Sequence, residues 1–321
     1  MISRTNFFKT VAYQMSRVFA ISDLHVDIPE NLEWVKSLST TNYKRDVLIV
    51  AGDVTDDINL LKYTLQNLKH KFSDVCYVPG NHELWIRPRK NETVEYQDSL
   101  EKFNAIVLLC EQIGVHTKPF RVDDVKHPVA IVPLFSWYAQ PEEDQTDTLY
   151  VHREIEDKEL TKMAWMDNRF CVWNSMKEFP AKYFARLNDE RVSFRYECPV
   201  ISFSHFVPRY DLIPASLQDL ERVCNERQRM GLQDLDEPNT QGANVKFNFS
   251  RYAGCKKIDE QIRRLKSTIH VFGHQHRNRD CVIDSVRYLS FCLGYPNERG
   301  MGLMWGMMEH SGPRQIWPSS S

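Results

Sequence analysis

Apolar residues along this chain come in short, nearly unbroken runs, and each run stops abruptly at small or polar residues. Val18–Ser22, Val47–Ala51, Val75–Val78, Val129–Val132, Pro199–Phe203 and Ile269–Phe272 all have this form. A run with no polar alternation predicts a strand buried on both faces. Leu60, Leu61, Leu65 and Leu68 recur at helical spacing after the second run, and Ile258, Ile262 and Leu265 do so within the basic stretch Lys256–Lys266. Strand, helix, strand in that order implies parallel pairs with right-handed crossovers. Near the end, Val282–Ser290, Leu303–His310 and Arg314–Trp317 predict short strands that complete a second sheet. The pattern is that of an α/β protein.

Composition narrows the picture. A net charge of −2 removes the global basic field that binding to nucleic acid or a membrane surface would use. The eight cysteines are scattered singly with no C-x-x-C pair, which predicts reduced thiols and a cytoplasmic location. No stretch reaches the roughly 18 uninterrupted apolar residues of a membrane span. Residues 1–16 carry Arg4 and Lys9, several Ser and Thr, and no acid, a composition similar to an organelle transit peptide. The plainer reading is a short extension ahead of the first strand.

The candidate chemistry sits where the strands end. Asp53 follows Gly52 directly after a core strand, at the sheet edge where α/β proteins bind ligands. Asp23 and His25 are two residues apart, so an extended backbone points both at one side. Asn81 offers a carbonyl oxygen, and His82 can titrate near neutrality. His205 follows one strand, and His274 and His276 follow another. Taken singly, each is readily a turn or surface residue. Of 11 histidines, however, five lie at these exits, and a satisfied core or surface role does not explain that clustering.

The ordered set Asp23-Leu-His25, Gly52-Asp-Val-Thr-Asp56, Gly80-Asn-His-Glu83, His205 and Gly273-His-Gln-His276 resembles the calcineurin-like metallophosphoesterase superfamily, from about Arg17 to Gly300. The resemblance implies that Asp23, His25 and His276 hold one divalent ion, that Asn81, His205 and His274 hold another, and that Asp53 bridges them. His82 is then the general acid, and Asp56 and Glu83 orient neighbours rather than bind metal. The all N/O donor set accepts Mn, Fe or Zn, and two such ions polarise a phosphate ester and activate water. Behind each ligating imidazole an acid or carbonyl is expected at the second nitrogen.

Two departures sharpen the reading. Asp56 is followed by Asp57-Ile58 rather than Arg-Gly, unlike the protein Ser/Thr phosphatases of the superfamily, and Asp23 stands where RNA lariat debranching enzymes carry Cys. Ser136-Trp-Tyr138, Arg169–Trp173 and Ser204–Arg209 are similar to an uncharacterised subgroup of phosphoesterases in plants, algae and microbes.

The resemblance implies a four-layer αββα fold, a two-sheet β-sandwich flanked by helices. Residues 17–321 are expected to form one domain after the extension 1–16, with insertions at about 136–195 and 211–250. The first insertion is aromatic-rich and expected beside the site mouth or in a satellite core, and the second is expected to be a polar loop. Arg209, four residues after His205, is a candidate phosphate contact, as are Arg87, Arg89 and Lys90. The expected function is a dinuclear phosphodiesterase acting on a small phosphate ester. The alternatives are a phosphomonoesterase acting on a metabolite or protein, and a non-catalytic metal-binding scaffold. Oligomeric state is not legible.

Overall fold

The computed structural model describes residues 16–87, 96–123, 127–233, 246–307 and 312–318. Two mixed sheets carry the core. The first, in the order β10-β1-β2-β3, joins β1 (Val18–Ile21), β2 (Val47–Ala51) and β3 (Asp74–Val78) in parallel, with β10 (Arg314–Trp317) antiparallel to β1. The second, in the order β4-β5-β6-β7-β9-β8, has β5 (Val129–Pro133), β6 (Val200–Phe203), β7 (Ile269–Phe272) and β9 (Val286–Ser290) in parallel. Its antiparallel edges are β4 (Phe120–Val122) and β8 (Arg279–Ile283). Every residue of β1, β2, β5, β6 and β7 is buried, as the unbroken apolar runs require.

Helices α1 (Pro29–Ser37), α2 (Ile58–Lys71) and α3 (Ser99–Ile113) flank the first sheet. Asp57 caps α2 by accepting from the backbone N–H groups of Asn59 and Leu60 at 2.8 and 3.0 Å, so the helix starts immediately after the Gly52–Asp56 motif. The insertion at 136–195 holds α4 (Lys158–Ala164), α5 (Asp167–Phe170), α6 (Pro180–Leu187) and α7 (Asp189–Ser193). Its Phe184 packs on Phe103 of α3 and on Trp137, and both belong to the main core rather than a satellite. Beyond it come α8 (Leu217–Arg229), α9 (Lys256–Arg264) and α10 (Pro296–Gly300).

The C-terminal expectation needs correction at three points. Residues 279–290 form a hairpin, but 303–307 are turns and 308–310 lie outside the described residues. β10 joins the first sheet instead of the second, because the open edge of β1 pairs with it through Val18–Trp317 and Ala20–Arg314. The polar segment 211–250 also contains α8, which is opened by a Ser216/Asp219 capping box. Arg89 and Lys90 fall outside the described residues.

Candidate metal centre

Five of the expected ligands leave their strands in left-handed backbone: Asp23 (φ 52°), His25 (42°), Asp53 (54°), His274 (73°) and His276 (49°). That region is unfavourable for residues other than glycine, and each such residue costs about 1–3 kcal/mol that its surroundings must offset. Here they do. The N–H groups of Asp23 and His25 donate to the carbonyls of Gly52 and Asp53 at 2.9 and 3.0 Å, and the N–H of His274 donates to the Asp23 carboxylate at 2.9 Å. At Gly52 (φ 81°) a Cβ would lie 2.5 Å from His205 Nδ1 and 2.8 Å from the backbone N of Gly80. Only glycine lets the two sheets' loops approach this closely.

The result is two overlapping groups of ligand atoms. Asp23, His25, Asp53 and His276 each offer one atom, all within 4.8 Å of one another, and Asp53, His205 and His274 do the same, so Asp53 belongs to both. His25 Nε2 lies 2.9 Å from His276 Nε2, which is 3.5 Å from Asp23. His205 Nε2 lies 3.1 Å from Asn81 Oδ1, 3.2 Å from His274 Nδ1 and 3.4 Å from Asp53. His205 Nδ1 and His274 Nε2 face backbone carbonyls and so carry the protons of their neutral rings, which leaves lone pairs on the two nitrogens that face each other. Lone pairs converging beside two buried carboxylates suit a divalent cation.

The outer nitrogens bear out the expected backing at three of the four rings. His205 Nδ1 pairs with the Ala51 carbonyl at 2.9 Å, His274 Nε2 with the Tyr252 carbonyl at 2.9 Å, and His276 Nδ1 with Glu298 at 2.7 Å. These contacts fix which nitrogen faces inward. The buried His25 Nδ1 has no hydrogen-bond partner among the described residues, and its ring packs against Tyr295 with centroids 4.6 Å apart.

Charge is arranged to match. Burial pushes the Asp23 carboxyl up, but His276 outweighs it and brings it down to about 2. Burial acts on Asp53 the same way, and the His205 and His82 imidazoles hold it well below the carboxylate range. Burial and the Asp53 charge push Glu83 up to about 7. Glu83 sits behind Asp53, accepting from the backbone N–H groups of Gly80 and Asp53 at 2.7 and 3.1 Å and from that of Val54, and so ties the exits of β2 and β3 together.

His82 occupies the open side of the cluster. Its side chain is 18% exposed, whereas that of Asp53 is 3% exposed. Its N–H donates to Asp53 Oδ1 at 3.0 Å, and its ring stacks on Trp85 with centroids 3.7 Å apart. Asp56 and Arg209 stand apart from this group. The Asp56 carboxylate pairs with Arg87, whose guanidinium lies over Trp85 and Phe170. Arg209 is pinned by Asp211, Asp259 and Asp284 at 2.7, 3.2 and 3.3 Å, so its charge is already answered.

A family model for calcineurin-like phosphoesterases matches residues 16–206. The chain belongs to the calcineurin-like phosphoesterase family. This phosphoesterase is 27% identical over 300 residues to the [acyl-carrier-protein] phosphodiesterase PptH of Mycobacterium tuberculosis (strain ATCC 25618 / H37Rv), covering 88% of this chain and 78% of that protein. The crystal structure of phosphopantetheinyl hydrolase (PptH) from the same species superposes with a TM-score of 0.67 at 23% identity, covering 95% of this chain and 97% of that one. That likeness establishes the fold expected of the family. As a calcineurin-like phosphoesterase, the protein is a hydrolase of phosphoesters, and its Asp/His clusters are suited to binding divalent metal.

Sequence reasoning missed two carboxylates beside the cluster, Glu298 and Asp167. Glu298 had a faint signal, since Pro296 opens a helix and Glu298 answers the backbone N–H of Tyr295 at 3.0 Å. Asp167 had none. It is 2% exposed, lies in the 136–195 insertion, and accepts from Asn81 Nδ2 at 2.8 Å.

Proposed function

We propose that this phosphoesterase is a dinuclear phosphodiesterase whose substrate is a phosphodiester carried on a protein, of the acyl-carrier-protein kind. The observation that carries the dinuclear reading is Asp53, shared by both ligand groups. Asp23, His25 and His276 would hold one ion, Asn81, His205 and His274 the other, and Asp53 both. Mn, Fe or Zn fits the N/O donor set. Bound ions would neutralise phosphoryl charge and activate water.

The chain's own residues supply the rest. Glu83 steadies the backbone on either side of Asp53. His82 carries the proton at Nε2 that the departing oxygen needs, and Trp85 supports its ring. Burial lowers the His82 pKa, while Asp53 and Asp167 oppose that shift; a phosphate arriving beside the ring adds further negative charge and favours its acid form. The diester preference and the carrier substrate rest on the similarity to the mycobacterial phosphodiesterase. A cytoplasmic setting fits the eight cysteines, none of which is disulfide-bonded.

The test compares bis-p-nitrophenyl phosphate, p-nitrophenyl phosphate and holo-acyl carrier protein as substrates of metal-reconstituted enzyme. Diester cleavage and release of the carrier's prosthetic group, both falling to background in Asp53→Asn, are expected. Cleavage of the monoester alone would replace the proposal with a phosphomonoesterase.

A further inference from the structure

Asn81 is an expected ligand whose side chain, like an imidazole, can present the wrong end. Its amide carries an oxygen that can bind a cation and an NH₂ that cannot, and the two are nearly equal in size. Something must therefore fix which end faces the cluster, and Asp167 does so. Its carboxylate is buried and meets three N–H donors: Asn81 Nδ2 and Trp85 Nε1 at Oδ1 (2.8 and 2.6 Å), and Trp165 Nε1 at Oδ2 (2.9 Å). An ionised carboxylate only accepts, so the amide edge that faces it has to be the NH₂ edge. Asn81 Oδ1 is thereby turned to within 3.1 Å of His205 Nε2.

The segment carrying Asp167 is itself locked to the loop it serves. The N–H of Ile86 donates to the Phe170 carbonyl at 2.8 Å, and that of Ser99 to the Val172 carbonyl at 2.8 Å. The same Asp167 oxygen also anchors Trp85, on whose face His82 stacks.

We propose that Asp167 is the positioning residue that orients Asn81 toward the second metal position and, through Trp85, seats His82, so that the 136–195 insertion completes the site rather than merely covering it. The inference rests on the ligand assignment above, and metal uptake tests the two separately. Metal-stripped wild-type protein titrated calorimetrically with Mn²⁺ should take up two ions. Asp167→Leu, close in size but without an acceptor, frees the Asn81 amide to turn and should weaken the second ion about 10–100-fold while leaving the first within twofold.

The double variant Asn81→Asp/Asp167→Leu has an oxygen at either end of side chain 81 and should recover at least tenfold of that loss. A residue that merely supports the fold would show no such recovery. Should Asp167→Leu fail to fold by circular dichroism, Asp167→Ala, which leaves room for water that can answer either end of the amide, carries the same expectation. Equal uptake of both ions by a folded Asp167 variant, or no recovery in the double variant, overturns the positioning role and leaves the ligand assignment standing. Fewer than two ions in the wild type overturns the assignment and this inference with it.

Discussion

Glu298 shows how a residue outside the proposed ligand set can act on it. Its carboxylate holds His276 Nδ1 at 2.7 Å, which aims Nε2 inward and makes that nitrogen a better donor. Glu298→Gln keeps an acceptor there but removes the charge. Metal affinity should fall roughly 10–100-fold with the fold intact, as read by calorimetric titration and circular dichroism. At this scale the sequence was informative about what lies next to a strand end and silent about what reaches in from elsewhere. Asp23, His25, Asp53 and the paired histidines were legible because each follows an apolar run. Asp167 contacts a residue 86 positions away, and Asp259 and Asp284, which meet Arg209, are announced by nothing in its sequence neighbourhood.

Among the elements, β6 and β7 hold a polar contact inside the core. His270 of β7 is fully buried, its Nδ1 paired with the Ser202 hydroxyl at 2.9 Å and its Nε2 with that of Ser204 at 3.1 Å. Both bonds suit the neutral ring, and burial pushes its pKa down to about 3. The folded state thus binds fewer protons than an unfolded chain whose histidine titrates near 6.5. This contribution to stability is complete above about pH 6.5 and is lost as pH falls toward 3. Unfolding free energies from urea titrations at pH 7, 6 and 5 should drop more steeply for the wild type than for His270→Gln, by at most about 1.4 kcal/mol per pH unit. Continuous apolar runs made the buried parallel strands readable. The misses have another origin: α8 exposes most of its surface and buries Asp219, Val223 and Glu226, so it leaves almost no apolar stripe. The sheet that β10 joins was decided by the free edge of a strand nearly 300 residues earlier.

At the scale of the whole molecule, the centre lies between the two sheets, so anything bound there ties β1 and β2 to β6 and β7. An ion that binds only the folded state stabilises it by about 2.7 kcal/mol at a hundredfold excess over its Kd. For a chain of this size that corresponds to a melting temperature roughly 4 °C higher per ion. Calorimetric scans with Mn²⁺ and with chelator should differ by at least this much, and the increment should vanish in Asp53→Asn.

The pairing of β1 with β10 also dictates an order of manufacture. A ribosome releases Asp23 and His25 early, yet their partners His274 and His276 emerge roughly 250 residues later, and the strand that closes the β1 edge emerges later still. At about 5–20 residues per second the interval is on the order of tens of seconds. Throughout it the nascent chain carries an unfinished sheet with an open edge, a surface prone to pairing with other chains. Chaperone cover of that edge during synthesis should therefore raise the yield of folded protein.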